Sequence, residues 1–238
     1  MQPVDISPTS EESVLVTWPE KICPVQHQLI VSAAQIITSQ HDNVIFESIV
    51  SYNSMILYYH FQHISYPQLQ QHILASIHQA EINAQIEKAN QETIDIPVYY
   101  GEKVAWDLAE VAKQCQLSVT EVISLHSQRT YRAYALGFTP GFCYLGSLDK
   151  KLRLPRKSTP RVTVPKGAVA IAEQQTAIYP NISPGGWHII GQTPIEMFQK
   201  NETSFRPKIN LGQQVKFIPI NKQTFIELTE ENSRGCQK

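Results

Sequence analysis

The sequence predicts an α+β chain built in two parts, and three observations carry that reading. Up to about residue 100, apolar runs of strand period alternate with two stripes of helical period, in the order strand, helix, strand, strand, helix, strand. From Thr130 onward the helical stripes stop, and short apolar runs separated by Gly and Pro turns take over. Between these patterns lies a polar stretch, Glu81 to Glu92 (EINAQIEKANQE), which reads as the end of a helix and a connector. The first pattern is a split βαβ arrangement, a ferredoxin-like βαββαβ domain set at residues 1–90. The second, at residues 91–238, is a closed barrel or a sandwich.

Val14 to Trp18 is a short strand that ends at Pro19, and Leu29, Ile30, Ala33, Ile36 and Ile37 form the first helical stripe. Val44 to Val50 and Met55 to Tyr59 are two strands separated by the turn Ser51 to Ser54. Ser65 with Gln68 is a candidate capping box ahead of Leu69, Ile73 and Ile77, and Thr93 to Tyr100 returns to a strand. The second part opens on a helix through Val104, Leu108, Val111, Ala112 and Cys115. Ser118 and Glu121 make another capping box, introducing a short helix that ends at His126. The later strands are Tyr131 to Leu136, Val162 to Val164, Ala168 to Ala172, His188 to Ile190, Val215 to Ile220 and Phe225 to Leu228.

Composition narrows the function. Apolar residues make up 42% and charged residues 17% of 238, enough for packed cores rather than a disordered chain. A formal charge of -1 excludes the global basic field that nucleic-acid binding normally needs. No apolar run approaches a membrane span, and the N-terminus lacks the basic and apolar regions of a signal peptide. Cys23, Cys115, Cys143 and Cys236 have no CxxC spacing, so the expectation is reduced thiols, no metal site and a cytoplasmic protein. P-loop, HExxH and GxSxG motifs are absent.

Chemistry concentrates between Ala135 and Pro194. Two Gly/Pro/aromatic clusters, Gly137 to Gly146 and Tyr179 to Trp187, bracket a proline-rich basic loop containing Lys150, Lys151, Arg153, Arg156, Lys157, Arg161 and Lys166. Glycine permits close backbone approach, proline stiffens, and aromatic rings make rigid walls, a combination that suits a binding site or a pair of tight turns at a barrel rim. The basic loop is either a solvated surface or a cradle for carboxylate or phosphate, which Arg can grip with two parallel hydrogen bonds.

The residues GF-PGF-YL (137–145), PR--TPR-TVP (155–165), G-VAIA (167–172) and IYP--SPGGW-IIG-TP (178–194), in this order, resemble the carboxyltransferase-type domain of the 5-oxoprolinase B-subunit family, whose members are also described as allophanate hydrolase subunit 1 or as histidine-kinase inhibitors. The likeness continues upstream through IPVYYGE (96–102) and more weakly to the N-terminus. It implies a cyclophilin-like β-barrel for the second domain and a component of an ATP-dependent 5-oxoprolinase, which opens 5-oxo-L-proline to L-glutamate and is not expected to act alone. Implied partners are a homologous C subunit and a lactam-hydrolysing A subunit. ATP, with Mg, is held by this chain or elsewhere in the complex. The alternatives are binding to a histidine kinase and an allophanate-hydrolysing role.

The same resemblance points to His126 and Tyr131 as lining the site, with His126 moving a proton and Tyr131 orienting a substrate oxygen. Arg156 and Arg161 are the candidates for stabilising developing charge. Phe138, Pro140, Phe142, Gln175, Tyr179, Trp187 and His188 are candidates for holding the substrate. For His126 a helix-end role on carbonyl groups stands beside the catalytic one, and for Trp187 core packing does. The turn at Leu211 to Phe217 carries Gln213 where the family usually has aspartate, which puts a charge-dependent role there in doubt.

Overall fold

The computed structural model describes residues 4–20, 22–86, 93–200 and 204–235, and its contacts divide the chain into two compact units, Met1–Asn90 and Gln91–Lys238. The C-terminal part of the Glu81 to Glu92 connector and Cys236 lie outside the described residues.

The first unit runs β1 (Asp5–Ser10), β2 (Ser13–Thr17), α1 (Pro24–Gln40), β3 (Ile45–Val50), β4 (Ser54–Tyr59) and α2 (Tyr66–Ile86). Its sheet has the order β1-β2-β4-β3, antiparallel throughout. Met55, Leu57 and Tyr59 of β4 alternate inward with period two, and meet a core that includes Val14, Val16, Ile30, Ile37, Ile73 and Ile77. Pro24 fits the first turn of α1, where its missing N–H costs nothing. At the start of α2, Gln68 reaches back to accept from the backbone N–H and the hydroxyl of Ser65, at 3.1 and 2.7 Å. The Ser51 to Ser54 segment is a hairpin turn, closed by the Ser51 N–H on the Ser54 carbonyl.

One strand departs from the sequence expectation. The edge position beside β2 is filled by β1, from the N-terminal hairpin, and Thr93–Tyr99 (β5) belongs to the second unit. There β5 pairs in parallel with β15 (Gln214–Ile220) along its whole length, and its Ile96 and Val98 are fully buried, as suits a parallel strand inside a barrel.

The second unit continues with α3 (Leu108–Gln114), α4 (Val119–Ser127), β6 (Thr130–Leu136), β7 (Cys143–Gly146), β8 (Arg161–Val164), β9 (Ala168–Ala172), β10 (Gln175–Ile178), β11 (Ser183–Gly185), β12 (His188–Gln192), β13 (Phe198–Lys200), β14 (Phe205–Pro207), then β15 and α5 (Lys222–Gly235). Seven strands close a barrel in the order β10-β7-β6-β15-β5-β12-β9, which leaves no open edge. β8 and β11 form a separate two-stranded ribbon, as do β13 and β14. The Ser118 and Glu121 capping box is complete, with the Glu121 N–H on the Ser118 hydroxyl and the Ser118 N–H on the Glu121 carboxylate.

Phe225 to Leu228, expected as a strand, lies in α5. Asn221 caps that helix by accepting the Thr224 N–H at 2.9 Å, Gln223 bonds Glu227 one turn on, and Phe225 packs its ring 5.4 Å from that of Tyr99. Three apolar residues in a run of four are ambiguous, and the cap decides between strand and helix. In the 210–213 turn, the amide oxygen of Gln213 accepts the Asn210 N–H at 2.7 Å, so a neutral acceptor closes a turn that needs no charge.

Candidate functional site

The two Gly/Pro/aromatic clusters and the basic loop meet at one concavity of about 310 Å³, lined by Phe138, Phe142, Tyr144, Arg156, Lys157, Pro160, Tyr179, Pro184, Gly185, Gly186 and Trp187. Its walls are set by backbone chemistry. Thr139-Pro140-Gly141-Phe142 is a tight turn, with the Phe142 N–H donating to the Thr139 carbonyl, Pro140 at the second position and Gly141 at a positive φ of 83°. This swings Phe142 inward, 3% exposed, and leaves Phe138 at the rim, 60% exposed and held at φ 76°. A left-handed phenylalanine is uncommon and strained, and such strain is retained where surrounding structure enforces it.

Phe142 is the hub of the aromatic wall. It stands edge-on to Phe138, Tyr144, Tyr179 and Trp187, with ring centroids 4.9 to 6.1 Å apart. Gly185 lies so close to Tyr179 that a Cβ there would collide with the phenol ring. The Lys157 N–H donates to the Gly186 carbonyl at 2.7 Å, tying the basic loop to the Ser183 to Trp187 loop.

The basic side chains divide into two sets. Arg161 donates to both oxygens of Asp107, at 2.6 and 2.9 Å, and its guanidinium lies 5.6 Å from the Trp106 ring centre. Lys157 bridges Asp107 and Glu110 at 3.1 and 3.0 Å. Asp107 also accepts the Ile189 N–H at 2.7 Å while its own N–H donates to the Ile189 carbonyl at 2.8 Å. Burial pushes the Asp107 carboxyl up, but hydrogen bonds from Arg161, Ile189 and Lys157 outweigh it and hold the group below the ordinary carboxylate value. Arg156 turns the other way, 5.9 Å from the Trp187 ring centre, and its nearest carboxylate oxygen, on exposed Glu173, is 3.8 Å distant.

Of the residues expected from the sequence, the structure gathers Phe138, Phe142, Arg156, Tyr179 and Trp187 at the pocket, while Arg161 is not among the lining residues and is bonded to Asp107. Pro140 lines an adjoining groove that shares Phe138 and Phe142. Trp187 does both things weighed for it, since it lines the pocket and is 5% exposed in the core beneath. His188 instead donates from Nε2 to the Pro155 carbonyl at 2.9 Å and anchors the loop. Gln175 opens β10, opposite Ala172 and Gly146, and is not among the lining residues.

His126 and Tyr131 are also elsewhere. Both are fully buried in the barrel interior. Thr176 donates to the Ala170 carbonyl, so its oxygen accepts from His126 Nε2 at 2.9 Å, and His126 Nδ1 accepts from the Tyr100 hydroxyl at 2.8 Å. Tyr131 donates to the His126 carbonyl at 2.8 Å, and Phe217 stacks on the imidazole at 4.5 Å. Burial lowers the His126 pKa to about 3. His126 is fully buried with both nitrogens bonded and is not among the residues lining the pocket, so the structure does not bring the expected proton carrier to this site.

Asp107 and Trp106 are absent from the sequence expectation, and Tyr144 stands in it only as a member of the Gly137 to Gly146 cluster. The available signal was Asp107 itself, an aspartate at the first turn of a helix. In the structure it makes no side-chain cap and serves the cations instead. Cys143 is buried, and burial pushes its thiol well up. Among the described residues no group of three or more His, Cys, Asp or Glu side chains could hold a metal, and no helix is long and apolar enough to cross a membrane.

A closed barrel carrying an aromatic pocket with a guanidinium at its rim defines the class of fold and site, and comparison with known proteins gives its lineage. Residues 4–207 match the family model described as carboxyltransferase domain, subdomain C and D. The 5-oxoprolinase B subunit of Bacillus subtilis (strain 168) is 34% identical over 237 residues, covering 96% of this chain and 98% of that one. The protein of the same name from Escherichia coli O157:H7 is 45% identical over 129 residues, 53% of this chain and 57% of that one. The chain therefore belongs to the carboxyltransferase-domain family of the 5-oxoprolinase B subunits. Among solved structures, TTHA0988 superposes with a TM-score of 0.75 at 29% identity, covering 88% of this chain, which spans about two fifths (39%) of that longer one. The urea carboxylase of Kluyveromyces lactis, at 14% identity and TM-score 0.70 over 96% of this chain and 23% of its own, shares the fold.

Proposed function

We propose that this chain is the B subunit of an ATP-dependent 5-oxoprolinase, and that its pocket holds the carboxylate and ring of 5-oxo-L-proline while the complex opens the lactam to L-glutamate. The observation that carries this reading is the pairing of an apolar aromatic pocket with the guanidinium of Arg156 at its rim, whose one ion pair among the described residues is long. A lactam acid has a hydrocarbon edge to lie against Phe142 and Trp187, and one carboxylate for Arg156 to grip. A urea-derived substrate offers several N–H donors, and no Asp, Glu, Asn or Gln side chain stands among the lining residues to accept them.

The pocket does not fit ATP. A triphosphate needs several cations or a ring of backbone N–H groups at a helix N-terminus, and here Lys157 and Arg161 are already neutralised by Asp107 and Glu110. ATP and its Mg are assigned to another part of the complex, with the A and C subunits as the partners.

This chain's own contribution is to bind, orient and shield the acid. Phe142, Tyr179 and Trp187 fix the ring plane and exclude water, and Arg156 orients the carboxylate. Reconstitution with the candidate A and C subunits, following glutamate release from 5-oxo-L-proline with and without ATP, tests the reading. The expected result is turnover that needs this chain and ATP, weakened at least about tenfold in kcat/KM by Arg156→Gln. Turnover that is indifferent to this chain, or its absence from every combination of folded subunits, overturns it.

A further inference from the structure

The proline-rich loop brings three cations, Arg156, Lys157 and Arg161, towards one pocket, yet the structure leaves a single one at its disposal. Asp107 and Glu110 carry two negative charges against the two positive charges of Lys157 and Arg161, so that cluster is electrically closed. Its centre is Asp107, whose side chain is only 2% exposed and whose two oxygens take four hydrogen bonds. Helix formation does not explain a carboxylate at that position, because the Asp107 side chain caps no amide of α3.

We propose that Asp107 is the specificity-determining residue of the pocket: by withdrawing Lys157 and Arg161 it sets the available charge at one guanidinium, so the site takes a monocarboxylate and turns away dianions and phosphate chains. The proposal rests on the reading of the pocket as an acid-binding site. Arg156 and Lys157 are neighbours in sequence and both line the pocket, but the first lies against Trp187 while the second is bonded to Asp107 and Glu110. Without the Asp107 charge, Arg161 keeps its place over Trp106, and Lys157 keeps Glu110, but the rim gains net positive charge beside Arg156.

Calorimetric titration of the purified chain with 5-oxo-L-proline and, separately, with inorganic pyrophosphate tests this. The native chain is expected to bind the monocarboxylate in preference to pyrophosphate. Asp107→Asn, which keeps the shape and removes the charge, is expected to strengthen pyrophosphate binding about tenfold and to steepen its salt dependence. Glu110→Gln changes an exposed helix residue that tolerates substitution, and is expected to shift the preference the same way by about two- to threefold. A gain of affinity for a wrong anion is something that a merely structural aspartate does not produce.

An unchanged preference in folded Asp107→Asn overturns the proposal, and so does an unchanged preference in Glu110→Gln, which decides alone if the first variant does not fold. A native chain that binds neither anion overturns the acid-binding reading and the proposal with it. A native chain that binds 5-oxo-L-proline with a preference indifferent to both substitutions sinks the proposal alone.

Discussion

The barrel unit holds two polar clusters made from similar chemistry, and they have opposite properties. Around His126, each hydrogen-bonding group has one partner that uses it up: Tyr100 donates to the imidazole, the imidazole to Thr176, and Thr176 to Ala170. Around the pocket, Asp107 gathers Lys157 and Arg161, while Arg156 faces the Trp187 ring and has, among the described residues, only the long Glu173 pair. The first cluster is sealed and the second has a surplus. A polar side chain in a core is structural when its bonds close on themselves, and available for recognition when one charge is left over.

The largest expected effect falls where the pocket is itself core. Phe142→Ala removes the ring that four others meet edge-on, at a site only 3% exposed, and is expected to cost about 3–5 kcal/mol in urea unfolding. A loss below about 1 kcal/mol would mean that the aromatic wall is dispensable packing, and the contrast between the clusters would lose its foundation.

Next comes the sealed cluster. His126→Phe keeps an aromatic ring against Phe217 but strands the buried Tyr100 hydroxyl, and is expected to cost about 1–3 kcal/mol. The pH dependence is more specific. His126 has a folded pKa of about 3 against an ordinary 6.5, so below pH 6.5 the unfolded chain takes up a proton that the folded chain refuses. The stability contributed by this group is complete above pH 6.5 and declines by about 1.4 kcal/mol per unit as the pH falls towards 3. Asp107, held below the ordinary carboxylate value, loses its contribution only below that value, about pH 4. Urea midpoints at pH 7.5, 5.5 and 4.5 separate the two, because a His126→Phe chain should lose this group's share of the slope between about 6.5 and 4.5, while His41, also lowered by burial, keeps its own.

Legibility in the sequence follows the same division. Capping chemistry is local, so Ser118 with Glu121 and Ser65 with Gln68 announce their helices correctly, and the pocket aromatics stand out because Gly and Pro crowd around Phe138, Phe142 and Trp187. Pairing is not local. Nothing within Thr93 to Tyr99 tells whether it completes the first sheet or lies parallel to β15, near the far end of the chain, and the hairpin strand Asp5–Ser10 carries too few apolar residues to claim the vacant edge. Roles are the least local of all. His126 and Arg156 are equally conspicuous as residue types, and only burial and hydrogen-bond partners assign one to the core and the other to the pocket. Asp107 was invisible for the converse reason, since its partners lie 50 to 82 residues away.

The smallest stability effect is expected at Arg156, and it sharpens the contrast most. The side chain is 58% exposed, its one ion pair is long, and exposed pairs of this kind contribute about 0–1 kcal/mol. Arg156→Gln should therefore change the unfolding free energy by less than about 0.5 kcal/mol. The same change removes a charge-assisted hydrogen bond to a carboxylate, which is worth about 1.5–3 kcal/mol, so 5-oxo-L-proline binding should weaken by about tenfold or more. His126→Phe should give the reverse pattern, with stability lost and affinity retained in the fraction that remains folded. Titration calorimetry beside urea unfolding on both variants resolves the two quantities. If Arg156→Gln destabilises the chain as much as it weakens binding, the guanidinium belongs to the fold, and the available charge at the rim must come from the Asp107 cluster instead.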